Sequence, residues 1–310
     1  MGKYVFGVDV GGTSVKLGFF DVEGNLLDKW EIPTRKGNGG EQILPDVADS
    51  IKAKMSEKKI NKEDVVGVGL GAPGPIDTEG TVYVAVNLGW GTFSIRDTLS
   101  GLLGLPVKAG NDANVAALGE MWKGGGKGHK NLVAVTLGTG VGGGIIVGGQ
   151  MLTGATGAGG EIGHIHVEDK ETEVCNCGNK GCLEQYASAT GIVRLARRTL
   201  AASAEPSILR SGPLSAKSVF DAVKKGDALA VRVAEQFGEY LGKGLGVVAG
   251  IVNPEIFVIG GGVSKAGDIL FRFIKPYFDE TAFSGSRDVE FALATLGNDA
   301  GIYGAARLVL

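Results

Sequence analysis

Apolar positions along this chain fall into short β-type runs broken by glycine-rich turns, with a few stretches of helical spacing between them. "YVFGVDV" (4–10), apolar but for Asp9, predicts a buried strand, followed by a Gly-Gly-Thr turn. "VKLGFFDVEGNLLDKWEI" (15–32) predicts a hairpin turning at Glu23, Gly24 and Asn25. Ile43, Leu44, Val47, Ile51 and Met55 share one face of a helix over 40–57, and "VVGVGLGAPGP" (65–75) predicts a strand ending in a Gly/Pro turn. After "LPVKAGND" (105–112), "ANVAALGEMWKG" (113–124) predicts a short helix stopped by Gly124, Gly125 and Gly126.

The opening pattern then returns. "NLVAVTLGTGVGGGIIVGGQML" (131–152) again reads strand, Gly-Thr turn, strand, Gly turn, strand, and "EIFVIGGGVS" (255–264) echoes "VVGVGLGAPG" (65–74). Two half-chains of this design predict a duplicated α/β architecture, two domains with a cleft between them. The division is expected within 113–123. That gives a small domain over 1–115, joined by a last helix at 300–310, and a large domain over 116–299.

Composition narrows the function classes. Hydrophobic residues make up 44% and charged residues 21%, so the chain is an ordinary globular one. Its 31 basic and 34 acidic residues leave a net charge of -3, with no basic footprint for nucleic acid. No run of about 18 uncharged apolar residues marks a membrane span. "MGKYVFGVDV" lacks the apolar stretch of an export signal, which favours the cytoplasm. Gly is the outlier at 54 residues, and it clusters at the ends of apolar runs, where tight turns and close backbone approaches need it.

Two of these turns are candidates for holding an anion. Gly138-Thr139-Gly140-Val141-Gly142-Gly143 matches the G-x-G-x-x-G dinucleotide pattern, but that motif needs a helix after it, and "GGIIVGG" reads as a strand. What remains is a pair of strand–turn–strand loops, "DVGGTSVK" and "LGTGVGGG". Their backbone N–H groups and Thr hydroxyls either crowd round phosphate or merely close two hairpins. Asp9 favours a ligand, because a carboxylate at the end of a buried strand is costly unless it meets a cation.

Every thiol of the chain lies in "CNCGNKGCLE" (175–184): Cys175, Cys177 and Cys182. Of the three histidines, His129, His164 and His166, the second lies eleven residues before Cys175. Three thiolates and one imidazole make a closed structural zinc site, and His166 is the runner-up for the fourth ligand. A redox centre fits worse, since C-x-x-C spacing is absent; three unligated loop thiols is the remaining reading. "GNDANVAALGE" (110–120) puts Asn111 and Asp112 where a strand gives way to a helix. Asp112 is there either a helix N-cap or a general base.

Taken in order, "DVGGTSVKLG", "GAPGPID", "GNDANVAALGE", "LGTGVGGGI", "GEIGH" and "CNCGNKGCLE" make the chain similar, over nearly its whole length, to the ROK family of sugar kinases and sugar-responsive repressors. Among these it most resembles the bacterial ATP-dependent glucokinases. The resemblance implies the actin-like ATPase (ribonuclease H-like) fold, α/β in class, with two domains closing over a cleft. It implies phosphorylation of glucose to glucose 6-phosphate by Mg-ATP, with Asp112 as general base. It further implies a sugar site of Asn87, Asn111, Asp112, Glu161, His164 and Glu184, and a structural zinc on His164, Cys175, Cys177 and Cys182.

Nucleotide binding would fall to Asp9, Gly11, Gly12, Thr13 and Lys16, to Gly138, Thr139 and Gly140, and to Gly260, Gly261 and Gly262 beside the adenine. Taken alone, Asn87 also suits a turn, Glu161 and Glu184 suit a charged surface, and Lys16 suits a solvated strand face. Glucose and ATP are the expected partners, together with further copies of the chain in a dimer or tetramer. Other hexoses and N-acetylhexosamines (N-acetylmannosamine, N-acetylglucosamine, mannose, fructose) share the motifs. The family's repressors carry a helix-turn-helix segment ahead of the first strand, which here starts near residue 4, so a kinase is expected over a regulator. The zinc segment is expected to fix Glu161 and Glu184 at the sugar, and its loss to spare the loops at 9–16 and 136–143.

Overall fold

The computed structural model describes residues 2–310, which form two compact units. The first reaches to Lys130 and adds Gly144–Gly160 and Leu296–Leu310; the second is Asn131–Gly143 with Glu161–Thr295. In chain order, β1 (Tyr4–Val10), β2 (Ser14–Asp21) and β3 (Leu26–Pro33) precede α1 (Ile43–Lys58) and β4 (Val65–Ala72). The short β5 (Thr81–Val82) and β6 (Phe93–Ser94) lead to α2 (Ile95–Leu103), β7 (Val107–Asn111) and α3 (Asp112–Lys123). Next come β8 (Leu132–Leu137), β9 (Val141–Val147) and β10 (Gln150–Met151), then α4 (Glu184–Ala187), α5 (Ala189–Ala201), α6 (Ala216–Lys224) and α7 (Ala228–Val252). The chain closes with β11 (Ile256–Gly260), α8 (Ile269–Thr281), β12 (Glu290–Leu293) and α9 (Ala300–Val309).

The repeat in the sequence is a repeat in the topology. One sheet has the order β3-β2-β1-β4-β7, the other β10-β9-β8-β11-β12, so each opening strand of a half-chain takes the central place. β1 runs antiparallel to β2 and parallel to β4, and β8 runs parallel to β11, which is parallel to β12. Parallel strands need both faces covered, which is why "YVFGVDV" is apolar at successive positions up to Val8 instead of alternating.

In the first unit Phe6, Val8 and Val10 pack with Ile43, Val47 and Ile51 of α1 and with Ile95 and Leu99 of α2. On the other face Val5 and Phe20 meet Ile302 and Ala306 of α9. Helix α9 lies on the sheet backbone to backbone: a Cβ at Gly69 would stand 1.7 Å from the Ala305 carbonyl oxygen. The first unit runs to Lys130, past the 113–123 where the sequence pattern puts the division, and the same helix helps to hold it there. α3 packs along α9 so closely that a Cβ at Gly304 would stand 1.7 Å from the Val115 carbonyl oxygen. All of α3 therefore stays with the first sheet.

In the second unit the core helix is α7, capped by Asp227 accepting the Ala230 N–H and ended by Asn253 in the left-handed conformation. It packs against α5, α6 and α8. Among the described residues no helix is long and apolar enough to cross a membrane.

Candidate active site

Strand β7 delivers the chain to Asn111, and the side chain of Asn111 caps α3. Its Oδ1 accepts the N–H groups of Ala113 at 3.0 Å and Asn114 at 3.2 Å, while its Nδ2 donates to the Gly74 carbonyl at 3.1 Å in the "GAPGP" turn. Capping is thus performed by the residue before Asp112. Asp112 takes the first helical position, with Oδ1 2.8 Å from the Ala113 N–H. Burial raises the Asp112 carboxyl above the ordinary aspartate range, opposed by the N–H groups around it. The helix start is thus capped by Asn111, and the Asp112 carboxylate beside it shares one of the capped amides, that of Ala113.

The glycine turn of the first unit is tied by the Gly11 N–H on the Ser14 carbonyl at 3.0 Å and by the Thr34 hydroxyl on the Gly11 carbonyl at 2.7 Å. Asp9, at the end of β1, makes no side-chain hydrogen bond among the described residues. Burial pushes its carboxyl up to about 6; the charge of Asp112 adds to this and that of Lys16 opposes it. The chain makes room for this carboxylate with Gly301 of α9, where a Cβ would stand 2.5 Å from Asp9 Cγ. Gly12 and Thr13 form the open part of the turn, and Lys16 Nζ donates to the Asn298 carbonyl at 3.2 Å. Asn87 is exposed in the one-turn 3-10 helix Val86–Leu88, with no side-chain partner among the described residues.

In the second unit the turn between β8 and β9 closes with the Gly138 N–H on the Gly140 carbonyl at 3.0 Å, and a strand follows it, as the β-branched sequence requires. It is held from the start of α5, where the Ala189 N–H donates to the Gly138 carbonyl at 2.8 Å and the Thr190 hydroxyl to the Thr139 carbonyl at 2.6 Å. Gly260 ends β11, and Gly261 and Gly262 follow it as an exposed turn, with Gly261 left-handed at a φ of 83°.

Glu184 accepts the Val141 N–H through Oε2 at 3.0 Å, and its Oε1 lies 3.8 Å from Cys175 Sγ. One side chain thus touches both the cysteine segment and the 136–143 turn, which were expected to act separately.

His164, Cys175, Cys177 and Cys182 converge, each offering a ligand atom within 4.8 Å of the others. The segment is folded back on itself by Val167 N–H to Gly181 O at 2.7 Å and Leu183 N–H to Ile165 O at 2.8 Å, which sets His164 beside the thiols. Cys177 and Cys182 Sγ are 3.6 Å apart, and Cys175 Sγ is 3.8 Å from His164 Nδ1. Tetrahedral ligands at zinc–sulfur length stand about 3.8 Å apart, so the spacing fits a zinc ion, and it is far too long for a disulfide. Burial and the neighbouring thiols push the Cys182 thiol up to about 12. His166 is excluded as the fourth ligand: its Nδ1 meets the Lys180 carbonyl at 2.9 Å and its Nε2 meets Asp169 at 2.8 Å. His164 turns its other nitrogen, Nε2, toward exposed Glu161, 3.9 Å away.

Two sets of residues were invisible to motif reading. Asn114 Nδ2 donates to the Gly159 carbonyl at 3.2 Å, anchoring the segment that leads to Glu161; the N-D-x-N spacing is its only trace in sequence. Glu171 is buried behind the cysteine segment, where it accepts from the Tyr186 hydroxyl and pairs with Arg194 and Arg198. Burial works against its charge, yet the Tyr186 hydroxyl, the Glu173 N–H and Arg194 outweigh it and hold the carboxyl at about 2.

The ROK family profile matches residues 5–310. A glucokinase of Halalkalibacterium halodurans is 48% identical, the alignment covering 99% of this chain and 95% of that protein. The crystal structure of a ROK hexokinase from Thermus thermophilus superposes with a TM-score of 0.81 at 32% identity, covering 99% of this chain and 97% of its own. That of a ROK family glucokinase from Streptomyces griseus, in complex with glucose and AMPPNP, gives a TM-score of 0.73 at 34% identity and covers 98% of both chains. With the duplicated sheet, the capped Asn-Asp turn and the Cys₃His cluster in place, this full-length match means that the chain belongs to the ROK family.

Proposed function

We propose that the protein transfers the γ-phosphoryl group of ATP to glucose, giving glucose 6-phosphate and ADP. The observation that carries this reading is the division of labour at the start of α3: Asn111 caps the helix, so Asp112 keeps a carboxylate for chemistry. A sugar hydroxyl is a weak nucleophile at neutral pH. Asp112 takes its proton while the oxygen forms the new bond to phosphorus and the bond to the ADP oxygen breaks. The raised carboxyl of Asp112 suits a base working near neutrality, since a more basic carboxylate takes the proton more readily.

Asn87, Asn111, Glu161, His164 and Glu184 are the proposed directional partners for the ring hydroxyls. The glycine turns at 11–13 and 138–140, with Lys16, supply donors to phosphate oxygens, and Gly260–Gly262 line the adenine. Magnesium, when bound with ATP, neutralises phosphate charge. Asp9 fits as its protein contact, being a partly buried carboxylate without a side-chain hydrogen bond among the described residues and pushed up to about 6. His164, Cys175, Cys177 and Cys182 would hold a structural zinc that fixes the segment carrying Glu184. The same reading places the protein in the cytoplasm, as a dimer or tetramer of identical chains, which light scattering on the purified protein measures directly.

The test is ADP release with Mg-ATP across glucose, mannose, fructose, N-acetylglucosamine and N-acetylmannosamine. Glucose is expected to give the highest kcat/KM. Turnover confined to an N-acetylhexosamine, or none above the sugar-free rate, would overturn the assignment.

A further inference from the structure

Two demands on Glu184 conflict. The proposed function gives it a sugar hydroxyl to hold, yet its Oε2 already accepts the Val141 N–H at 3.0 Å. That amide belongs to the 138–143 turn, which the same reading assigns to nucleotide phosphate. The carboxylate is seated against the turn: a Cβ at Gly140 would stand 2.0 Å from Oε2 and 3.0 Å from Cδ. The Gly140 backbone is not left-handed, so space for this carboxylate, and not turn geometry, is what asks for glycine there.

A carboxylate on this N–H does two things to an incoming nucleotide. It occupies a donor that a phosphate oxygen would otherwise use, and it adds negative charge where more has to settle. The rest of the turn is held independently, by the Ala189 N–H on the Gly138 carbonyl and the Thr190 hydroxyl on the Thr139 carbonyl. The carboxylate contact is thus the one that can exchange without the backbone moving. Its other oxygen, Oε1, faces Cys175 Sγ at 3.8 Å, a weak contact that a sugar hydroxyl outbids.

From this geometry we infer that Glu184 gates the phosphate turn. In the sugar-free protein its carboxylate holds the Val141 amide, and a bound sugar hydroxyl draws it away, opening the turn to the nucleotide. Glu184 is then a positioning residue as well as a sugar contact, and glucose and ATP bind with positive coupling. The inference rests on the proposed sugar-kinase reading.

The experiment is calorimetric titration of AMPPNP into the full-length protein, with and without saturating glucose, for wild type, Glu184→Gln and Gly140→Ala. Glucose should tighten AMPPNP binding to the wild type by about five-fold or more. In sugar-free protein, Glu184→Gln removes the charge, and AMPPNP should bind about five-fold tighter than to the wild type. Gly140→Ala displaces only the end of a flexible side chain, so it should fold, and it should tighten sugar-free binding in the same direction with every charge retained. A residue that merely contacts sugar would change glucose affinity and leave sugar-free AMPPNP binding alone. Unchanged or weaker sugar-free binding in Glu184→Gln overturns the gate. So does a wild type that phosphorylates glucose but shows no coupling, and in that case the kinase reading survives. A wild type that neither binds nor phosphorylates glucose overturns both.

Discussion

Replacing Asp9 by Asn should make the protein more stable and, at the same time, inactive. Burial moves the Asp9 carboxyl from 3.8 to about 6, with Lys16 opposing and the like charge of Asp112 adding to it, and no hydrogen bond among the described residues offsets this. A shift of about two units corresponds to about 3 kcal/mol of folding free energy lost when the group is charged. Because the group is not wholly removed from water, about 1–2 kcal/mol is the expected effect. The sign follows from proton counting: between pH 3.8 and about 6 the folded chain holds a proton that the unfolded chain releases, so stability falls as pH rises through that window.

Asp9→Asn removes the penalty, is isosteric beside Gly301, and should gain about 1–2 kcal/mol at pH 7.5 and almost nothing near pH 4. Urea unfolding followed by tryptophan fluorescence in magnesium-free buffer is a suitable assay, since Trp30, Trp90 and Trp122 all lie in the first unit. ATP-dependent turnover of the same variant should fall sharply. A variant less stable than wild type at pH 7.5, or a stability difference that does not change between pH 4 and 7.5, would refute the reasoning.

Asn111→Ala should cost about 1 kcal/mol, the worth of a helix cap, and should raise the KM for glucose, both read from denaturation and steady-state kinetics. Protein purified without added metal should carry about one zinc per chain by elemental analysis, and Cys177→Ser should lose it. Since Glu184 touches both Cys175 and the Val141 amide, chelation should alter glucose and nucleotide affinities together; an effect on glucose alone would contradict the bridge. Glu171→Ala leaves Arg194 without its buried partner and should destabilise the second unit by about 3–5 kcal/mol, seen as a large fall in melting temperature.

The duplicated sheet was legible because buried parallel strands must be apolar on both faces, and "YVFGVDV" and "LVAVTL" stand out between glycine turns. The cysteine cluster was legible for a different reason: thiols and one nearby imidazole are rare enough that composition alone brings them together. The split between Asn111 and Asp112 was not. Both residue types cap helices, and only the structure shows that they share the Ala113 amide while Asn111 alone accepts that of Asn114. The second contact of Glu184 was equally hidden, because it runs to a backbone amide 43 residues away, and the identity of Val141 does not announce it. The division between the units escaped the pattern because α3 belongs with α9, a pairing set by close approach at Gly304 and not by sequence neighbourhood. The stretch 185–252 offered no motif, and its helices follow from burial of one face along α5, α6 and α7.

The central claim is that Asp112 is the base for phosphoryl transfer to glucose, and comparing glucose 6-phosphate formation by wild type and Asp112→Asn tests it most directly. With Asn111 still capping α3, the variant should fold and bind glucose as the wild type does, while kcat falls by about 10²–10⁴-fold. A folded Asp112→Asn protein that turns glucose over at a near-normal rate would contradict the account.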